Sequence, residues 1–219
     1  MKTSTQLVTA ALTLILSFTA QRAGAQSAEE TIQKTLTAFD SSKTYAQKVP
    51  LTSQFRLIAG KWPQNWLSNF YAAYAIAVTS FDEADKKKRE LLLTEADVYF
   101  ERIKTMTATN EEVNILGALL ASARIAATPS AYKKYGDVRD KYLEAAKAMN
   151  ANNPRIWYLE GNSKYYTPKM FGGGPKKALP FYEKAAPLFN AENKTDVSKP
   201  YWGAGHNAYM LQQCKKELE

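Results

Sequence analysis

Three features of the sequence hold residue types that could do chemistry. The first is "FGGGPKK", where Gly172, Gly173 and Gly174 precede Lys176 and Lys177 at the head of an apolar, helix-like run. Glycine-rich backbone followed by lysine at a helix start is how many proteins cradle phosphate. A phosphate loop needs four residues between two glycines, then Lys and Ser/Thr, after a β-strand. Here a proline intervenes, Ala178 stands where the hydroxyl belongs, and no strand pattern precedes. The segment therefore reads as a corner between two helices, its glycines free to take positive φ and Phe171 folding back onto apolar surface. Gly173, Gly174, Lys176 and Lys177 remain as candidates for holding an anion.

His206 and Cys214 form the second feature, being the only histidine and the only cysteine. Both fall on the last helical segment, eight residues apart. At a rise of 1.5 Å per residue they are separated by about 12 Å, too far for a Cys-His dyad. A Ser-His-Asp triad or a histidine-rich metal site would rest on this one imidazole, so a surface or partly buried capping role is expected for His206. The third feature is a set of acid pairs, Glu29-Glu30, Asp82-Glu83 and Glu111-Glu112. A glycosidase needs two carboxylates facing across a cleft. These pairs instead open helices, where negative charge complements the helix dipole. No catalytic residue, metal ligand or cofactor is assigned.

The elements that must position these residues are helical. Residues 1–25 read as a cleaved signal peptide: Lys2, an apolar run from Leu7 to Ala20, then Ala23-Gly24-Ala25 before Gln26. That run is shorter than the roughly 20 residues of a membrane span, and no later segment comes close to one. A soluble protein, periplasmic or secreted, is expected. Cleavage removes Lys2 and Arg22 and no acid, which takes the formal charge from +8 to +6. The lysines are scattered among acids and aromatics rather than gathered in a stripe, which argues against nucleic acid as a partner. A single cysteine forbids an intrachain disulfide, so packing must stabilise the fold.

Beyond the leader, strand alternation and hairpin dipeptides are absent, and Ala, Leu, Lys, Glu and aromatic residues recur at helical spacing. The expected fold is all-α, an α-solenoid of antiparallel helix pairs with about nine helices. Residues 26–62 form an N-terminal helical pair that packs on the repeats. Its second helix is short, following Pro50 and ending at Gly60. Residues 63–219 hold the repeats and a C-terminal capping helix. "NWLSNFYAAYAIAVTSF" is apolar over most of its circumference and therefore central. Pro180 implies a helix that starts after Pro175 or bends, and Pro187 a kink or an end.

Residues 153 to 186 resemble a tetratricopeptide repeat. Trp157 and Gly161 match the bulky and small positions of its first helix, and Ala178, Tyr182 and Ala185 those of its second. Leu116-Gly117, with Tyr142, Ala145 and Ala146, gives a fainter echo. The interval from Gly161 to Ala178 is longer than the family's, and Glu160 replaces an apolar residue. The whole chain is similar to small exported repeat proteins of Gram-negative bacteria. That resemblance implies a concave groove lined by Arg155, Tyr158, Asn162, Tyr165 and Tyr166, with Tyr158 and Tyr166 equally able to pack against neighbouring helices. The expected function is a non-enzymatic scaffold of the cell envelope that presents this groove to a peptide or protein partner. The alternative is a periplasmic small-molecule binder, with the ligand between the N-terminal helices and the repeats. An enzyme comes third.

Overall fold

In the computed structural model, which describes residues 27–107 and 110–219, helices begin where the sequence supplies caps. Helix α1 (Ala28–Ser41) starts at a capping box: the Ser27 hydroxyl accepts from Glu30 N–H, and the Glu30 carboxylate accepts from Ser27 N–H. Thr44 and Gln47 form the same box at α2 (Tyr45–Lys61). Asn65, Asp85 and Asn110 cap α3 (Trp66–Asp82), α4 (Lys86–Met106) and α5 (Glu111–Ala127) through their side-chain oxygens. A 3-10 turn at Pro129–Ala131 leads into α6 (Tyr132–Met149). Asn153 caps α7 (Pro154–Tyr166), and a second 3-10 turn, Lys169–Phe171, leads to α8 (Pro175–Asn190) and α9 (Ala204–Leu218). The fold is an all-α solenoid with nine helices and no strand among the described residues. The expected leader, residues 1–25, lies outside them.

The interior prolines depart from expectation. Helix α2 begins five residues before Pro50 and runs through it, and α8 runs unbroken through Pro180 and Pro187. All three prolines are on exposed faces. There, a carbonyl that loses its helical partner turns to water, and a helix can absorb the ring by gentle curvature. The periodic apolar face underneath keeps the helix in place: Ala178, Tyr182, Ala185 and Phe189 of α8 are all buried.

Successive helices pack as pairs, α1 with α2, α3 with α4, α5 with α6 and α7 with α8, and α9 closes against α8. The first helices of the pairs also touch in series, α1 to α3, α3 to α5 and α5 to α7, and so form an inner layer. Helix α3 is buried on nearly every side, in keeping with its apolar circumference.

Two crossings use one device. A methyl group at Gly161 would sit 2.6 Å from the Tyr182 ring, and one at Gly117 would sit 2.8 Å from the Tyr142 ring. Each glycine lets an aromatic side chain from the partner helix lie against helical backbone. Gly161→Val should therefore lower unfolding free energy by about 2–3 kcal/mol through overpacking. Gly60, which has open space around it on an exposed face, serves as the contrast. Gly60→Ala should gain up to about 1 kcal/mol from helix propensity. Urea-unfolding midpoints of the two variants check both signs.

Candidate functional site

The connection between α8 and α9, residues 191–203, determines what the inner layer presents. It touches α3 and α7, which α5 separates, so it lies as a strap across the inner face. Tyr201 N–H donates to the Tyr71 hydroxyl of α3 at 2.8 Å. Arg155 of α7 donates to the Pro200 carbonyl and to Glu192, each at 2.6 Å. Its guanidinium also lies 3.4 Å from Glu112 of α5, and it is fully buried. The Phe189 and Trp202 rings flank it at 5.9 and 5.7 Å. Trp202 is buried against Tyr74 at 4.9 Å and Tyr158 at 6.2 Å between ring centroids.

The five residues expected along a groove thus have different fates. Arg155 is enclosed as the anchor of the strap, and Tyr158 is buried beneath it. Asn162 is half-buried and accepts from the Tyr182 hydroxyl at 2.8 Å. Tyr165 donates to Glu217 of α9, and Tyr166 is 68% exposed. A groove at the Arg155 end is ruled out sterically, because the strap fills it. The strap was hidden from sequence reasoning, since it forms contacts between residues more than a hundred positions apart.

At the other end of the strap, Gly203 takes φ +93° and turns the chain into α9. A methyl group there would press on Phe189 at 3.2 Å, so glycine is needed for both the turn and the fit. This turn places His206 in the first turn of α9 with its Nδ1 2.9 Å from the Tyr158 hydroxyl. The ring meets Tyr158 edge-on at 5.7 Å and Tyr209 at 5.9 Å. His206 and Tyr209 are exposed, and burial, then the neighbouring Tyr209, raises the Tyr166 phenol pKa. The pair Lys48–Asp82, joined at 2.6 Å, faces the histidine from α2 and α3.

The protein packed on its Nδ1 edge, and then the Lys48 charge, hold the His206 imidazolium below its ordinary pKa, with Asp82 opposing. Burial pushes the Tyr158 phenol up to about 12, so it stays protonated beside the ring. The arrangement is an exposed imidazole held at Nδ1 by the Tyr158 hydroxyl, with the Tyr209 ring beside it. That is how proteins prepare a histidine to ligate a metal. The signal was present in the sequence as His206 and Tyr209 three residues apart on one helix, but only folding brings Tyr158 and Tyr166 to them. Cys214 is buried on the same helix, and burial raises its thiol pKa.

The anion candidates fare differently. The amide groups of Gly173 and Gly174 donate to the carbonyls of Pro168 and Lys164 at 3.2 and 2.8 Å. They are therefore spent within the corner, and only the Lys176 and Lys177 side chains, both exposed, remain for an anion. Phe171, expected to fold back, is 73% exposed. A cavity of about 740 Å³ lined by Pro63, Gln64, Arg102, Thr105 and Met106 contains no buried titratable group. Among the described residues, no group of three or more His, Cys, Asp or Glu side chains could hold a bare metal ion.

No family model matches the chain, and no curated protein matches it. A solved structure does: the HusA haemophore from Porphyromonas gingivalis, with a TM-score of 0.74 and 28% identity, covering 89% of this chain and 96% of that one. A protein of this fold along almost its whole length thus carries the name of a small-molecule carrier. The finding overturns the expectation of a scaffold for a peptide or protein partner and favours the alternative, a small-molecule-binding helical protein.

Proposed function

We propose that this protein binds haem, or a planar tetrapyrrole of the same shape, at the aromatic face formed by His206, Tyr209 and Tyr166. The observation that carries the reading is the similarity to a haemophore over 89% of the chain. The site chemistry supports it. A haem iron receives four nitrogens from its macrocycle, so it needs one or two protein ligands rather than a complete cluster. His206 Nε2 is the ligand of choice, with Tyr158 fixing the ring through Nδ1. Tyr209 and Tyr166 offer flat apolar surface for the macrocycle. We read the protein as exported, working by binding rather than turnover, with its helix pairs built as tetratricopeptide-like repeats. The two Gly–Tyr crossings support the repeat assignment. Among the described residues, no helix is long and apolar enough to cross a membrane.

Titration of the purified protein with haemin should shift and sharpen the Soret band at a one-to-one ratio. His206→Ala should weaken binding tenfold or more and move the band. Absence of any spectral change with the unmodified protein would sink the proposal. Binding that survives unchanged in His206→Ala would remove the ligand assignment.

The pH dependence follows from the depressed His206 pKa. A folded pKa below the unfolded value means that the unfolded chain takes up the proton first. Stability from this ring is present above the ordinary histidine pKa of about 6.5 and is lost as pH falls through the folded pKa. Haem affinity should fall in the same acid window, because the imidazolium has no lone pair to give. A haemin titration repeated from neutral to mildly acid pH checks this.

A further inference from the structure

The corner between α7 and α8 is more than a connection. Gly172 and Gly174 take φ +82° and +99°, and a methyl group on Gly173 would sit 1.9 Å from the Thr167 carbonyl oxygen. The three glycines thus fold the chain tightly onto the end of α7. The amides of Phe171, Gly172, Gly173 and Gly174 close it with bonds of 2.8 to 3.2 Å to Pro168, Lys169, Pro168 and Lys164 carbonyls. The consequence is a rigid turn whose two large apolar side chains have nowhere to go but outward. Met170 is 83% exposed and Phe171 73%, and Tyr166, on the last turn of α7, is exposed as well. A protein that needed only a corner would gain from polar residues there.

The charge around this tip is one-sided. From Gly161 to Tyr182 the chain carries Lys164, Lys169, Lys176 and Lys177, all exposed, and no Asp or Glu. The stretch is bounded by Glu160, which pairs with Lys147, and by the exposed Glu183, while Glu217 of α9 accepts from Tyr165 and follows Lys215 and Lys216. Adjacent projecting Met and Phe side chains, an exposed tyrosine and four exposed lysines in one stretch together match a bilayer surface. Apolar tips enter the headgroup boundary while lysines meet anionic phosphates. We propose that the Met170–Phe171 turn is a docking tip for anionic lipid membranes, by which the folded protein rests peripherally on an envelope surface.

The test is sedimentation of the chain beginning at Gln26 with vesicles of phosphatidylcholine alone or mixed with phosphatidylglycerol. The protein should pellet with the anionic vesicles at low salt, release at high salt and ignore the neutral ones. Met170→Ser with Phe171→Ser should lower partitioning at least about tenfold, from lost apolar burial. Lys176→Ala with Lys177→Ala should lower it by roughly 25-fold, about fivefold per lysine. All four side chains are exposed, so thermal unfolding of both variants should match the parent. Equal binding to neutral vesicles, unchanged partitioning of either variant, or no vesicle binding at all overturns the proposal. If the parent ignores vesicles while the Met170/Phe171 variant loses a protein partner, the tip belongs to a protein interface instead. The measurement uses no haem, so its outcome is independent of the tetrapyrrole reading.

Discussion

Arg155→Ala should lower unfolding free energy by about 3–5 kcal/mol, the usual cost of removing one partner from a buried ionic group. Arg155 is fully buried and is the cation that meets both Glu192 and Glu112. Truncation would leave the buried Glu112 and the half-buried Glu192 without it and the Pro200 carbonyl without its donor. Arg155→Lys should recover only part of the loss, since one ammonium cannot reach the positions that the planar fork spans. Two acids share one base here, and burial holds both Glu112 and Glu192 above the ordinary carboxylate range. For a raised carboxylate pKa the folded state keeps the proton that the unfolded chain gives up. The stability these groups contribute is therefore lost as pH rises through their folded pKa values. Glu112→Gln keeps the Arg155–Glu192 pair and removes the surplus charge. It should flatten that slope without the penalty of Arg155→Ala. Urea unfolding of the three variants across mildly acid to neutral pH tests the whole set.

Trp202→Ala should cost a similar amount, about 3–5 kcal/mol, by a different route. The indole is 2% exposed and lies between Tyr74 and Tyr158, covering the Arg155 guanidinium. Its removal opens a cavity that the surrounding rigid rings cannot collapse to fill. It also takes away the main apolar contact that holds the strap to α3. Residues 193–195, already exposed, should become the first site of limited proteolysis. Haem binding as proposed above should weaken with it, because Gly203 and His206 follow directly on the loosened segment. Trp202→Phe keeps a ring in place and should retain most of the stability.

Local features of the fold were legible in the sequence, and long-range ones were not. The apolar circumference of "NWLSNFYAAYAIAVTSF" marked α3 as central, and its burial on nearly every side follows from that pattern. Gly161 and Tyr182 fell at small and bulky positions of successive helices, but that this ring lies on this glycine came only with the fold. Pro50, Pro180 and Pro187 misled because their cost depends on which way they face, and the pattern does not say that all three face water. Arg155 illustrates the larger limit. Its register on α7 gave an inner-face position, yet that face is occupied by residues from 45 positions downstream. No periodicity announces a loop that docks. His206 carried a visible clue in Tyr209, but Tyr158 reaches it across 48 residues.

Helical repeats ordinarily fold and fail piecemeal, each pair answering mainly to its neighbours. The strap changes that accounting for this chain. Tyr201 bonding to Tyr71 joins positions 130 residues apart, and closing so long a loop is entropically slow to reward. The inner layer must therefore be standing before residues 191–203 can settle. The face around His206 follows directly on the strap and so depends on the strap's contacts with α3 and α7. On the binding reading proposed above, a site at His206 is incomplete until α9 has docked on α8.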